Sequence, residues 1–300
     1  MDVVIDHLNN GAVIAGMGRL QTLLADVRRT LAPSEWRQYA QTALLTHRLR
    51  DLLHSDPFTF RAFSKPRGYA GDAVMMDYIY GYRLSDVTAA PPLARRIFDF
   101  TTRTASPEAV RFRRRVLAEL IDTVAAEQAR EVNVTAIAAG HLREVDLSMA
   151  VRSEQAIVTA FDQDEESMAV VRRDYGQFGV QALPASVRDI LARRTRLPAC
   201  DLAYTAGLYD YLPDSAATRL TTVMFQSLRP GGTLLLANFL PNILDAGYME
   251  SYMDWHLIYR DDAQMRALMS AVPVGDIASL ELFHDPFDNI VFLQTTKRAR

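Results

Sequence analysis

From about residue 131 onward the chain alternates short apolar runs with amphipathic helical stretches, and this alternation restricts the fold more than any other feature. "NVTAIAA", "QAIVTAFD", "GVQAL", "ACDLAYTAG" and "GGTLLLANF" read as strands, rich in β-branched and apolar residues. "DEESMAVVRRDYG", "ASVRDILARR" and "DSAATRLTTVMFQSL" separate them and carry the helical period. Strand and helix in turn build a parallel sheet with both faces covered. The tail breaks this rhythm. "DIASLELFH", "DPFDN" and "IVFLQTTKR" read as two strands joined by a tight turn, which makes the closing pair antiparallel.

Residues 1 to about 130 read almost wholly as helix. "HLNNGAVIAGMGRLQTLLADVRRTL" repeats apolar residues every three or four positions, and "SEWRQYAQTALLTHRLRDLLH" continues the pattern with Ser34 as an expected N-cap. "AGDAVMMDYIYGYRL" comes next, and Ser106-Pro107-Glu108 opens a last long helix. The expected division is a helical region over 1–130 and an α/β domain over 131–300. The 300 residues are 49% hydrophobic and 23% charged, ordinary for a globular chain. A net charge of −3 gives no electrostatic case for nucleic acid or a membrane surface. Arg111, Arg113, Arg114 and Arg115 fall at helical spacing and read as a solvated face. The single cysteine, Cys200, lies in a strand pattern and reads as a small core residue. No apolar run approaches the roughly 20 residues of a bilayer span, the first residues lack a basic leader region, and the histidines lack metal-site spacing. These features lead to an expectation of a cytoplasmic protein without a metal.

Three stretches then carry chemistry. "IAAGHLREVD" leads out of the first strand, Val132 to Ala138, and holds a single glycine, Gly140. Asp162, at the end of the second strand, lies about 20 residues further on, the spacing at which an acidic side chain meets ribose hydroxyls in a dinucleotide fold. The alternative for Asp162 is a helix cap, but that role is expected of Asp164. "LRPGGTLLLANF" matches the turn and fifth strand of the class I S-adenosylmethionine (SAM) dependent methyltransferases. Together with the strand pattern, the chain resembles that family: α/β, with a Rossmann-like seven-stranded sheet, an antiparallel last strand and an all-helical N-terminal cap.

The resemblance implies SAM as cofactor. Ala139, Gly140 and His141 would then face its amino-acid tail, with His141 and Arg143 the departures from the usual turn. Asp162 and Gln163 would meet the ribose, and Ser186 and Val187 the adenine, unless Ser186 is simply an N-cap. "CDLAYTAGLYDYLPD" would lie beneath the methyl donor, with Thr205 on the cofactor and Tyr209 a catalytic candidate.

Residues 63–81 and 238–262 also resemble a branch that holds bacterial 3-hydroxy-fatty-acid methyl ester synthases, arginine N-methyltransferases and indole C3-methyltransferases. In "YMESYMDWHLIYR", Glu250 and Asp254 are expected on one helix face, Tyr248 and Tyr252 stand in the same i, i+4 relation, and Tyr259 lies near that stripe. Glu250 is a candidate for orienting or deprotonating an acceptor, with pairing to an arginine as the alternative. Tyr69, in "KPRGYAGD", is the candidate from a loop able to close over a site, beside Lys65 and Arg67. The implied partner is a small-molecule acceptor of specialised metabolism, and the helices could also make a homodimer. Two other readings stay open: a SAM-consuming cyclase that forms azetidine-2-carboxylate and 5′-methylthioadenosine, and a non-catalytic SAM-binding regulator.

Overall fold

A computed structural model describes residues 1–82 and 84–299. The chain forms two compact units: one of Met1–Arg111 with Asn242–His256, the other of Phe112–Pro241 with Leu257–Arg300. The change of periodicity near 131 coincides with the first strand at Val132, whereas the units divide inside the helix Ala105–Ala126.

The second unit holds one seven-stranded sheet in the order β3-β2-β1-β4-β5-β7-β6. Its strands are β1 (Val132–Ile137), β2 (Ala156–Asp162), β3 (Gln181–Pro184), β4 (Cys200–Ala206), β5 (Leu228–Phe239), β6 (Ile277–His284) and β7 (Ile290–Lys297). β1 to β5 run parallel, and β7 is antiparallel to both β5 and β6. The reason is in the connections. Helices such as Glu165–Tyr175 and Asp214–Ser227 carry the chain back between parallel neighbours, while the turn at 285–289 reverses it directly. Asp285 pins that turn, its carboxylate accepting from the backbone N–H groups of Phe287 (2.8 Å), Asn289 (2.7 Å) and Ile290 (2.5 Å). One face of the sheet is packed by Ile137, Ala203, Leu220, Met224, Leu234, Leu236 and Leu293, with Cys200 buried among them. Pro230-Gly231-Gly232 lies within β5 where its pairing with β4 shifts register. A Cβ at Gly232 would stand 3.0 Å from the Arg229 carbonyl oxygen and 3.1 Å from that of Asp201, so a side chain there would push the backbone apart by a few tenths of an ångström.

The first unit is helical, and its runs are more broken than their periodicity implies. The first run splits at Gly11 (φ 77°) into Asp2–Asn9 and Val13–Thr30. The second begins at Pro33, with Ala32 rather than Ser34 at the cap, and passes into a π-helical turn at Ala40–Leu44. There the Leu45 N–H reaches the Ala40 carbonyl (2.9 Å), and such a wide turn ends a regular helix. Among the described residues no helix is long and apolar enough to cross a membrane.

Asp56 caps the helix Pro57–Ser64. It is fully buried and accepts from the Phe58 N–H (3.0 Å), the Thr59 N–H (3.1 Å) and the hydroxyls of Thr59 (2.7 Å) and Thr101 (3.1 Å). Burial outweighs these donors and pushes its carboxyl up to about 6. An acid whose folded value is raised contributes stability that is present below the unfolded value and lost as pH rises through the folded one. The wild type is therefore expected to lose up to about 3 kcal/mol from this group between pH 4 and pH 7. Asp56→Asn keeps a capping oxygen and removes that slope. Urea unfolding of both forms at the two pH values checks it: equal slopes would mean that Asp56 is ionised normally.

Candidate functional site

The parallel register sets the strand ends level. Ile137 pairs with Phe161 of β2, and Ala136 with Tyr204 of β4, so the segments after β1, β2 and β4 leave the sheet side by side. Strand order reverses between β1 and β4, where open α/β sheets form a ligand crevice beyond the carboxyl ends.

The loop after β1 turns left-handed three times, at Ala138 (φ 53°), Gly140 (φ 55°) and Leu142 (φ 52°). Holding alanine and leucine there costs about 1–2 kcal/mol each. The loop thus has the backbone of a glycine-rich turn with one glycine in its sequence. Backbone of alternating hand gathers N–H groups into a concavity suited to negative charge. Asp162 ties this loop to β2. Its Oδ2 accepts from the Gly140 N–H (2.9 Å) and its Oδ1 from the Asp164 N–H (2.9 Å). Burial raises its carboxyl above the ordinary range, and these backbone donors oppose the rise. A carboxylate has about four acceptor directions, which leaves capacity for a ligand diol. Asp164 does cap the next helix, accepting from the Glu166 N–H (3.1 Å) and the Ser167 hydroxyl (2.6 Å).

Of the other positions selected from the sequence, Ala139 is half-buried and His141 buried in the same loop, and Gln163 is exposed beside Asp162. Ser186 is the N-cap of Val187–Leu191, in a reciprocal box with Asp189, so its hydroxyl is already engaged (2.5 Å to Asp189). Val187, the next residue, is half-buried. Thr205 is buried near the end of β4, its hydroxyl without a hydrogen-bond partner among the described residues. Tyr209 is fully buried in the apolar core, and its hydroxyl bonds to that of Thr221 (2.7 Å). Arg143 is paired with Asp174 (2.8 Å) and donates to the Tyr175 hydroxyl (3.2 Å).

Four groups here escaped the sequence reading. Arg113 is 6% exposed, not on a solvated face, and Arg114 is turned inward to the Arg143 carbonyl (2.8 Å). Glu144 is buried and accepts from the Tyr204 hydroxyl (2.5 Å); burial raises its carboxyl, opposed by that bond and by the charges of Arg114 and Arg113. Asp210 is buried after β4 and accepts from the Phe239 N–H (2.7 Å). Burial pushes it up to about 6, against the Phe239 bond and the charge of Arg113. The signal was in the period: Val110, Leu117 and Ile121 are buried on one stripe, and position 113 belongs to it.

The helical unit holds the remaining candidates. Glu250 sits on the helix Ala246–Tyr252, 8% exposed, in a bidentate pair with Arg28 (2.8 Å to each oxygen) and accepting from the Trp36 indole N–H (2.8 Å). A carboxylate so held must first release Arg28 to act as a base. Replacing Glu250 with alanine is expected to destabilise this unit by about 2–3 kcal/mol, because Arg28 and a buried indole N–H lose their acceptor. A thermal midpoint unchanged by E250A would contradict that. Asp254 lies beyond the helix end with φ 45°, so it does not share a helix face with Glu250; it pairs instead with Lys65. Tyr248 and Tyr252 are core, with ring centroids 5.7 Å apart, and Tyr259 falls in the other unit. Tyr69 is half-buried between the helices Pro57–Ser64 and Ala73–Tyr80.

No protein-family model matches the chain, and no curated protein is similar to it. Solved structures are. A possible exported protein from Bordetella parapertussis has a TM-score of 0.56 at 20% identity, over 74% of this chain and 79% of that one. The N-methyltransferase NodS from Bradyrhizobium japonicum has 0.44 at 11%, over 61% and 86%. Human N-acetylserotonin methyltransferase has 0.46 at 13%, over 76% and 70%. The first likeness is one of fold, and the other two overlap too loosely to bear on chemistry. By its strand order and antiparallel last strand, the chain has the seven-stranded Rossmann-like fold of the class I SAM-dependent methyltransferases.

Proposed function

We propose that this protein binds SAM beyond the carboxyl ends of β1, β2 and β4 and methylates a small molecule. The observation that carries the reading is the Asp162 carboxylate fastened to the Gly140 N–H (2.9 Å) at the switch point of the sheet. The residues present suit the group. Asp162 keeps acceptor capacity for a ribose diol, the Ala139–Gly140–His141 backbone offers N–H groups to an amino-acid tail, and Gly207 keeps a side chain out of the space after β4. Gln163 lies beside Asp162 on the ribose side, Ser186 and Val187 would border the adenine, and Thr205 has a hydroxyl in hand at the end of β4.

Bound SAM would supply an activated methyl on a sulfonium. The chain's task is then to hold donor and acceptor in line and keep water away. Glu250 and Tyr69 remain candidates for handling the acceptor, Glu250 through the arginine and indole it holds. The likeness of residues 63–81 and 238–262 to the small-molecule branch supports an acceptor such as a carboxylate, guanidine or indole.

The test is incubation of the purified protein with SAM, alone and with acceptors of those three classes, and identification of the products by mass spectrometry. S-adenosylhomocysteine (SAH) formed only in the presence of an acceptor is the expected result. 5′-Methylthioadenosine formed from SAM alone, above its spontaneous rate, would overturn methyl transfer in favour of intramolecular cyclisation.

A further inference from the structure

We infer that Tyr204 and Glu144 are positioning residues: the hydrogen bond from the phenol of one to the carboxyl of the other holds the loop after β1 in its left-handed form. The inference rests on the SAM reading for its purpose and adds to it how the loop keeps its shape.

The loop needs holding. Ala138 (φ 53°) and Leu142 (φ 52°) take left-handed backbone that only glycine enters without cost. Strain of this kind persists only where the surroundings over-determine it. Side chains tie the loop and the turn that follows it to their neighbours. From β2, Asp162 accepts from the Gly140 N–H (2.9 Å). From the helix Ala105–Ala126, Arg114 donates to the Arg143 carbonyl (2.8 Å), and Arg143 itself reaches Asp174 on the helix Glu165–Tyr175 (2.8 Å). From β4, the Tyr204 hydroxyl donates to Glu144 Oε1 (2.5 Å).

The tie from β4 is the one that water can least replace. Tyr204 is 3% and Glu144 7% exposed, whereas the Asp174 side chain is 24% exposed. Breaking the bond would leave a buried carboxyl without its donor, which costs more than an exposed pair does. The geometry follows from the sequence. Side chains alternate along a strand, so with Ala203 turned to the apolar cluster Tyr204 turns to the other face. The register sets Tyr204 beside Ala136, two residues before Ala138. Leu142 leads directly into the short turn Arg143–Asp146, and Glu144 is its second residue. The bond therefore spans from β4 to the far end of the strained loop, opposite the tie that Asp162 makes from β2.

Hydrogen exchange of the ligand-free protein reads this hold directly. In Tyr204→Phe the amides of residues 139–142 should exchange about 10- to 100-fold faster, while those of β5 and β7 stay within about threefold of wild type. SAH affinity, read by calorimetric titration, should fall about 10-fold. Glu144→Gln keeps an acceptor for the hydroxyl and should stay within about threefold of wild type in both readings. Glu144→Asp keeps the charge but shortens the reach by one methylene; it should behave as Y204F does, and it decides if Y204F fails to fold. Faster exchange spread evenly over the sheet would make the pair a general core contact. Loop exchange and SAH affinity both unchanged would show that the loop holds its shape without the bond. Either result overturns the inference while leaving the SAM reading standing. A wild type that does not bind SAH would overturn the SAM reading, and the loop exchange, which needs no ligand, would still decide whether the pair holds the loop.

Discussion

Asp162→Ala is expected to weaken SAH binding about 100-fold, and 5′-methylthioadenosine binding by a similar factor. Two hydrogen bonds from ribose hydroxyls to a carboxylate contribute about 1.5–3 kcal/mol each, partly offset by water entering the space left behind, and about 3 kcal/mol corresponds to the factor of 100. The variant also takes an acceptor from the Gly140 N–H, so the loop after β1 loses its tie to β2. Both ligands carry the ribose, so the two losses should be alike. Affinity for both ligands within threefold of wild type would remove Asp162 from the ribose role.

Arg260→Ala should be the most destabilising single change in the α/β unit. The guanidinium is 1% exposed and donates to the carbonyls of Tyr209 (2.7 Å) and Leu212 (2.6 Å), to Asn238 Oδ1 (2.9 Å) and to Asp214 (2.7 Å). It thereby fixes the turn after β4 against the end of β5. Removal strands three buried or part-buried acceptors at once, a loss of about 3–5 kcal/mol. For a domain of this size that loss lowers Tm by about 10 °C. Asp214, being exposed, is rehydrated and adds little. Gly207 immediately precedes this turn, so SAH binding should weaken as well. A Tm within 2 °C of wild type, read by circular dichroism with an error of about that size, would show that water replaces the guanidinium without penalty.

The sheet was legible because each strand is a short apolar run bounded by its own turn chemistry. Period alone placed the closing hairpin of Ile277–His284 and Ile290–Lys297. The capping role of Asp164 was legible because helix starts leave marks at fixed spacing. The shape of the Gly140 loop was not, since Ala138 and Leu142 take left-handed backbone that alanine and leucine seldom adopt. The breaks in the helical unit were hidden for a related reason: apolar spacing passes through the π-helical turn at Ala40–Leu44 almost unchanged. A tyrosine after β4 does not announce that it faces inward to Thr221, whereas the burial of Arg113 was legible in the period it shares with Val110, Leu117 and Ile121.

The most direct test of SAM binding at the β1–β4 switch point is a calorimetric titration of the wild-type protein with SAH, repeated on D162A. Saturable binding at one site is expected, in the micromolar range for the wild type and about 100-fold weaker for D162A. No heat and no thermal stabilisation of the wild type at about 1 mM SAH would contradict it.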